Sequence, residues 1–548
     1  MKRIFIILYL LLVTLAGCKK WLDVNSDPDT PQNPDPASVF PTQLAGIPRG
    51  IQYDARYVGR YVQNWLTSSS TLSADVNWDR MGYTGGSDAN GDVWRQTYFG
   101  LGQNLRYIIN VGREKGQWDY VGAAYALQAF MFQSCTDHHG EIIFTEAFKE
   151  NTALFKFDGQ DTVYNGVRVW CDSALFYLNR TDLNPSNKPL SRGDYSLGGD
   201  RQKWIKFVYG ILARNYNHLS NKAIYDPAKV IEFCNQSLSD VSDDFLVPHD
   251  ASKNDDSNFF GPYRNNLTNY RQSNFIVQLL DGTILAGDTS IYENRDPRIS
   301  HMLSAGQDTT NGNGGYRGVD PGMGDPNGTG AANARKRAAN LWGDSLYQNP
   351  SASVFTPNAG KFLFKDKAVS PVMTYAEIQF IKAEAAYRMG DNATALDAYT
   401  KGINAHFDFI NRSNLPRNNN VLYNGQPISN TARAIYLNSP NVKRTEADLT
   451  LADIMLQKYI ALWGWGFTET WVDLRRFYYG AIPDPRNGQV VYKGFVPPAP
   501  LSSQNNGLLV SRARPRYNSE YVWNLEELAR IGALEGNYHT KPVWFMLP

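Results

Sequence analysis

Residues 374–406 read TYAEIQFIKAEAAYRMGDNATALDAYTKGINAH. The stretch divides at Gly390. Before it, Ala383, Ala385 and Ala386 lie in a run without a breaker, and the run predicts a helix. Gly390 suits the left-handed residue that ends one. Asp391 or Asn392 can then cap a second helix, which carries Leu396, Tyr399 and Ile403 on one face. Ala395-x-x-x-Tyr399 fits the Ala-x-x-x-Phe part of the tetratricopeptide pattern. No clean repeat period runs along the chain, so any repeats are degenerate and interrupted.

The same helical spacing recurs on both sides of this pair. Trp94, Tyr98, Leu101, Leu105 and Ile108 step by four, three, four and three. So do Trp204, Phe207, Val208, Ile211, Leu212 and Leu219, and again Leu451, Met455, Lys458/Tyr459 and Leu462. Residues 119–135 place Ala123, Ala124, Ala126 and Ala129 among Tyr120, Leu127 and Met131, small residues that let helices approach closely. Strand-like runs such as Val490-Val491-Tyr492 are short and few. Between the helical runs lie long interruptions: 66–92, rich in Ser, Gly and Asn; 240–275; and 306–330, with nine glycines. Loops of this length are usually functional or disordered. The expected fold is mainly all-α, with long decorating loops on one or two faces.

The N-terminus reads MKRIFIILYLLLVTLAGC. Lys2 and Arg3 precede an apolar segment from Ile4 to Ala16, too short for a membrane span of about 20 residues. It suits the core of a secretory signal peptide, residues 1–17. Leu15-Ala16-Gly17-Cys18 resembles the bacterial lipobox, in which small residues admit the peptidase and the cysteine is acylated. Several acyl chains exceed what stable anchoring requires, so the chain is expected to be membrane-anchored through Cys18 without spanning. Residues 18–36 hold the Pro/Asp-rich linker. In polyproline II at ~3.1 Å per residue, 25–36 would span roughly 35–40 Å; a strand-like arm lying on the body is the alternative. Residues 37–548 are expected to form one domain. Cys135, Cys171 and Cys234 all fall in helical runs and are expected as buried free thiols.

The 548 residues carry 54 Lys+Arg against 53 Asp+Glu. Removing 1–17 takes away Lys2 and Arg3 and no acid, leaving 52 against 53 and a net −1. A chain without an overall field is a poor polyanion binder, so no nucleic-acid partner is expected. The aromatic load is high, with 13 Trp, 32 Tyr and 26 Phe, and Tyr and Trp combine an apolar face with a polar handle.

Several landmarks occur in a family order. They are Cys18-Lys-Lys-Trp-Leu-Asp-Val-Asn25; the Trp94–Ile109 helix with Asn104; Gly140-Glu-Ile-Ile-Phe-Thr-Glu-Ala147; Asp200-Arg-Gln-Lys-Trp204-Ile-Lys-Phe207; Thr374-Tyr-Ala-Glu377 to Ala386; and Glu469-Thr-Trp471-Val-Asp473-Leu-Arg-Arg476. Taken together they resemble the SusD/RagB family of Bacteroidetes outer-membrane lipoproteins, most closely its SusD-like 2 subgroup. The turn at Glu141-Ile-Ile143 lacks the family's Asp and Pro, and Lys19-Lys20 stands where acidic residues often follow the lipidated cysteine. The resemblance implies tetratricopeptide-like helix pairs in a right-handed scaffold. It implies a cell-surface lipoprotein that captures a nutrient, usually an oligosaccharide, without catalysis. It also implies delivery to a SusC-like TonB-dependent transporter. The alternatives are the same architecture binding peptide or another nutrient, and a lipid-anchored glycosidase.

The candidate ligand-binding residues are loop aromatics, because sugar C–H faces stack on rings while hydroxyls need Asn, Asp and Arg. Trp78 lies in Asn77-Trp-Asp-Arg80, with Tyr83 following. Tyr316 neighbours Arg317, and Trp342 follows. Tyr263-Arg264 and Tyr270-Arg271 repeat the pairing. Trp78, Tyr83, Tyr316 and Trp342 are expected to form a shallow platform of micromolar to millimolar affinity. The helical Trp94, Trp204, Trp463 and Trp471 are expected in the core. Asp137-His138-His139-x-Glu141 is read as structural, since adjacent histidines cannot share one helix face. Glu377, Glu384, Glu469 and Asp473 are expected in ion pairs, the last two with Arg475 or Arg476. No catalytic residue, metal or cofactor is assigned: there is no phosphate loop, and DPGMGDPNG lacks the spacing of a calcium loop.

Overall fold

A computed structural model describes residues 33–71, 73–180, 182, 189–287, 295–309, 313–328, 331–343, 360–413 and 427–548. The expected signal peptide, Cys18 and residues 18–32 of the linker lie outside the described residues. The helix pair at 374–406 forms as its residues dictate. Thr374 is extended, and its side chain accepts from the Glu377 N–H. Gly390 takes φ +87°, and an added Cβ would meet nothing within 4 Å, so glycine serves the left-handed turn rather than a close contact. Asp391 accepts from the Thr394 N–H at 3.1 Å and opens the second helix.

The helices of ten residues or more are α1 Pro36–Tyr61, α2 Gly102–Glu114, α3 Trp118–His139, α4 Gln160–Leu178, α5 Arg201–Asn217, α6 Pro227–Gln236, α7 Tyr375–Met389, α8 Asn392–Ser413, α9 Leu451–Leu462 and α10 Phe467–Arg476. From α2 to α8 each packs on the next. The α6–α7 contact crosses a long stretch of sequence, so the described residues between 237 and 374 form an insertion beside a continuous helix stack. α9 packs on α7, and α10 returns to α1 and α3. The inserted segment is fastened by two antiparallel clips. β1 (Trp65–Thr67) pairs with β3 (Tyr270–Gln272), and β2 (Phe245–Val247) pairs with β4 (Ser370–Met373). Asp35 caps α1 by accepting from the Ala37 N–H at 3.0 Å, and the Tyr107 hydroxyl donates to the Pro34 carbonyl at 2.7 Å. The last linker residues therefore lie on the body.

The expected stripe from Trp94 to Ile108 is broken in one place. Gln96–Gly100 forms a π turn, which rotates the face by an extra residue. Leu101, Leu105 and Ile108 remain buried, while Tyr98 turns partly outward and Phe99 fully outward. A Cβ at Gly102 would come 2.0 Å from the Thr97 carbonyl and 2.6 Å from the Phe148 ring, so only glycine fits after this turn. Leu219 lies beyond the end of α5. Cys135, Cys171 and Cys234 are buried free thiols, as expected.

A buried ionic network fills the centre of the stack. Arg214 donates to Glu377 at 2.7 Å. Arg476 donates to Glu384 at 2.7 Å and also pairs with Asp473. Lys458 lies 2.8 Å from both Glu469 and Asp473. His218 lies 2.8 Å from Glu469 and 3.5 Å from Asp137, whose other partner is the Tyr164 hydroxyl. The four motif carboxylates are thus ion-paired. Arg475 takes a different path and donates to the Asp137 and Ser511 carbonyls at 2.6 and 2.9 Å.

Burial pulls the His218 imidazole down, but Glu469 and Asp137 outweigh it and hold the group up at about 9. A raised folded pKa stabilises fully below the unfolded value of about 6.5, and that stabilisation is lost as pH rises through about 9. Urea midpoints should therefore fall between pH 6 and pH 10 by the equivalent of roughly 3 kcal/mol. In His218→Gln this part of the slope should disappear; an unchanged slope would remove His218 from the network's pH response.

Candidate functional site

The loop aromatics occupy places the sequence does not suggest. Trp78 lies in the short helix Ala74–Asp79, its ring 4.6 Å from Tyr57 and 5.2 Å from Tyr83. Tyr83 donates its hydroxyl to the Ala89 carbonyl at 3.3 Å. Tyr270 is in β3 and receives a hydrogen bond from Arg60. Tyr316 lies under Arg295, and the Trp342 indole donates to the Phe260 carbonyl at 2.7 Å. All five are buried within the core that α7–α10 share with the inserted segment. They offer no ring face, so the expected platform of Trp78, Tyr83, Tyr316 and Trp342 is corrected, and Tyr270 with it. The physical reason is that the long loops pack down as a second layer on the helices, and their large rings are what they bury. Tyr263 alone of the six is exposed, at 40%.

An open cleft of about 900 Å³ lies instead across the π turn and α2. This is the upper end of the size range of small-ligand sites. Trp94 forms part of its floor, edge-on to His139 at 5.1 Å and 5.5 Å from Phe157. Burial pulls His138 to about 4 and His139 to about 3, so both are neutral near pH 7, and His138 Nδ1 donates to the Ser134 carbonyl at 3.0 Å. Tyr98 donates to the Ile143 carbonyl at 2.7 Å, tying the π turn to the Gly140–Ala147 turn. That turn is itself held by Asp158, which accepts from the Phe144 and Thr145 N–H groups at 3.0 and 2.7 Å. It delivers Phe148 and, further on, Phe155 to the cleft.

The outward face of the π turn and α2 carries Arg95, Phe99, Gln103, Arg106, Tyr107 and Asn110, all of which line the cleft. Phe99 is 66% exposed, with the Arg95 guanidinium 5.6 Å from its ring centre. The opposite wall comes from the C-terminal segment. Arg516 pairs with Asp88 at 2.5 Å, and Asp88 also accepts from the Asn518 N–H at 2.9 Å. Glu520 is buried; burial raises its carboxyl, against a hydrogen bond that the Asn524 amide donates at 3.1 Å. The arrangement offers rings that can stack and fixed donors and acceptors that can bind hydroxyls. Among the described residues, no group of three or more His, Cys, Asp or Glu is placed to hold a metal ion.

The sequence reading missed the first wall, although a signal for it exists: 95, 99, 103, 106 and 110 step by four, four, three and four, beside the apolar stripe. The second wall lies some 400 positions downstream, and no local pattern joins the two.

A stack of packed helices with long segments folded onto it defines a mainly all-α architecture. Solved structures share the fold over nearly their whole length. A SusD/RagB family protein from Bacteroides thetaiotaomicron is 19% identical, covers 94% of this chain and 99% of its own, and superposes with a TM-score of 0.69. A chitin-binding protein is 20% identical, at 94% and 100% coverage and TM-score 0.66. A chitin-binding SusD homologue from Flavobacterium johnsoniae is 19% identical, at 93% and 98% coverage and TM-score 0.65. No curated protein sequence matches the chain. Residues 31–497 match the SusD-like 2 family, described as starch-binding and associating with the outer membrane, and the chain belongs to that family.

Proposed function

We propose that this chain is a non-catalytic, cell-surface lipoprotein of the outer membrane that binds an oligosaccharide in the cleft and passes it to a SusC-like TonB-dependent transporter. The observation that carries the reading is the cleft itself, which the exposed Phe99 ring, the half-buried Arg106 and the buried Glu520 line together. Membership of a starch-binding family and likeness to two chitin-binding proteins support a glycan as the ligand. The Leu15-Ala16-Gly17-Cys18 signal supports a lipid anchor on Cys18, with residues 37–548 as a single binding domain.

Calorimetry with chito-, malto- and xylo-oligosaccharides tests this. At least one series should bind in the micromolar to millimolar range. Phe99→Ala should weaken it by about 1 kcal/mol, or about fivefold, without lowering the melting temperature, because the ring is mostly in solvent. Binding of a peptide pool with no glycan bound would replace the ligand class.

One observation favours a second reading. Glu150 and Glu520 both line the cleft, and two carboxylates are the minimum equipment for glycoside hydrolysis. Release of reducing sugar by the purified protein, lost in Glu520→Gln, would make it a glycosidase.

A further inference from the structure

Trp523 is 69% exposed, whereas every other tryptophan among the described residues is buried or half-buried. A large ring left in water is informative, because burying one contributes ~1.5–3 kcal/mol. Its position relative to the cleft is defined by the chain. Tyr517–Tyr521 is a π turn, and Val522 continues it in right-handed helical conformation. A π turn closes i→i+5 bonds, so residues four and five apart, rather than three, share its face. Ser519, on the cleft wall, lies four residues before Trp523. Trp523 therefore extends the face that this wall turns to the cleft.

The mount is rigid. The Asn524 amide donates to the Phe155 carbonyl at 2.9 Å and to Glu520 at 3.1 Å, and Phe155 and Glu520 both line the cleft. Glu527 accepts from the Phe157 N–H at 2.7 Å, and Arg530 donates to the Phe157 carbonyl at 2.8 Å. A backbone held in place before binding lowers the ordering cost to that of the side chain alone.

We propose that Trp523 is an outer subsite of the cleft, stacking on the apolar C–H face of a sugar ring near the end of a long oligosaccharide. This rests on the glycan-binding reading and adds to it a selectivity for chain length. Short oligomers would fill the cleft and never reach the indole; longer ones would gain it.

The test is calorimetry of wild type and Trp523→Ala with the dimer and hexamer of whichever of the chito-, malto- or xylo-series wild type binds. The substitution should weaken the hexamer about tenfold and leave the dimer within twofold. Wild-type indole emission should shift on adding hexamer, and this shift should be lost in the variant. Equal weakening of both lengths, or none, would overturn the subsite. Unchanged glycan affinity with lost co-purification of a barrel transporter would assign Trp523 to a protein interface instead, and would equally overturn it. If wild type binds no series at either length, the glycan reading falls, and the subsite with it. That outcome is distinct because it appears before any substitution is made.

Discussion

Lys458→Met is expected to destabilise the protein by about 3–5 kcal/mol, the usual consequence of removing one partner from a buried ionic group. Lys458 is fully buried and stands 2.8 Å from both Glu469 and Asp473. Burial alone would raise the Glu469 carboxyl, but Lys458 and then His218 hold it well below its ordinary value. Methionine keeps the length of the side chain and deletes the charge, leaving two buried carboxylates with too few cations. A fall of this size in urea-derived stability is the expected result. Lys229→Met is the control: its 3.3 Å pair with Glu232 is at the surface, and such pairs contribute ~0–1 kcal/mol. If both variants unfold at the wild-type midpoint, the network does not organise the stack.

Cys18→Ser is expected to move the protein almost completely out of the membrane fraction. No helix among the described residues is long and apolar enough to cross a bilayer, and the segment Ile4–Ala16 is also too short. Retention would then depend on the acyl chains, and the thioether that carries the first of them needs the sulfur. Fractionation together with palmitate labelling measures this. Label and membrane association should disappear in the same variant; association that survives the loss of label would transfer the anchoring to another part of the chain.

The helix stack was legible because its signals are local. Thr374, Gly390 and Asp391 act within four residues of themselves, and the apolar spacing of Trp204–Leu212 and Leu451–Leu462 needs no distant partner. The loop aromatics were not legible, because burial is decided by what arrives from elsewhere. The Trp342 indole is satisfied by a carbonyl at Phe260, and the Arg60 side chain reaches both Asp75 and Tyr270. An aromatic beside glycine and arginine looks the same in sequence whether it faces solvent or the insertion's own core. The split between Arg475 and Arg476 shows the same limit at close range. Asp473 and Arg476 share a helix face three residues apart, whereas Arg475 turns toward α3 and the Ser511 carbonyl. The cleft stood between these cases. Its α2 wall has a signal that went unread, a second stripe beside the apolar one, but the π turn that pushes Phe99 outward left no sequence mark beyond the Gly100-Leu101-Gly102 at its end.

The most direct test of the account is a crystal structure of the protein with its tightest-binding oligosaccharide. Sugar density is expected in the cleft across the π turn and α2, with a ring against Phe99 and hydroxyls within reach of Arg106 and Glu520. Sugar bound elsewhere, for instance over the exposed Tyr263, with the cleft holding only solvent, would contradict it.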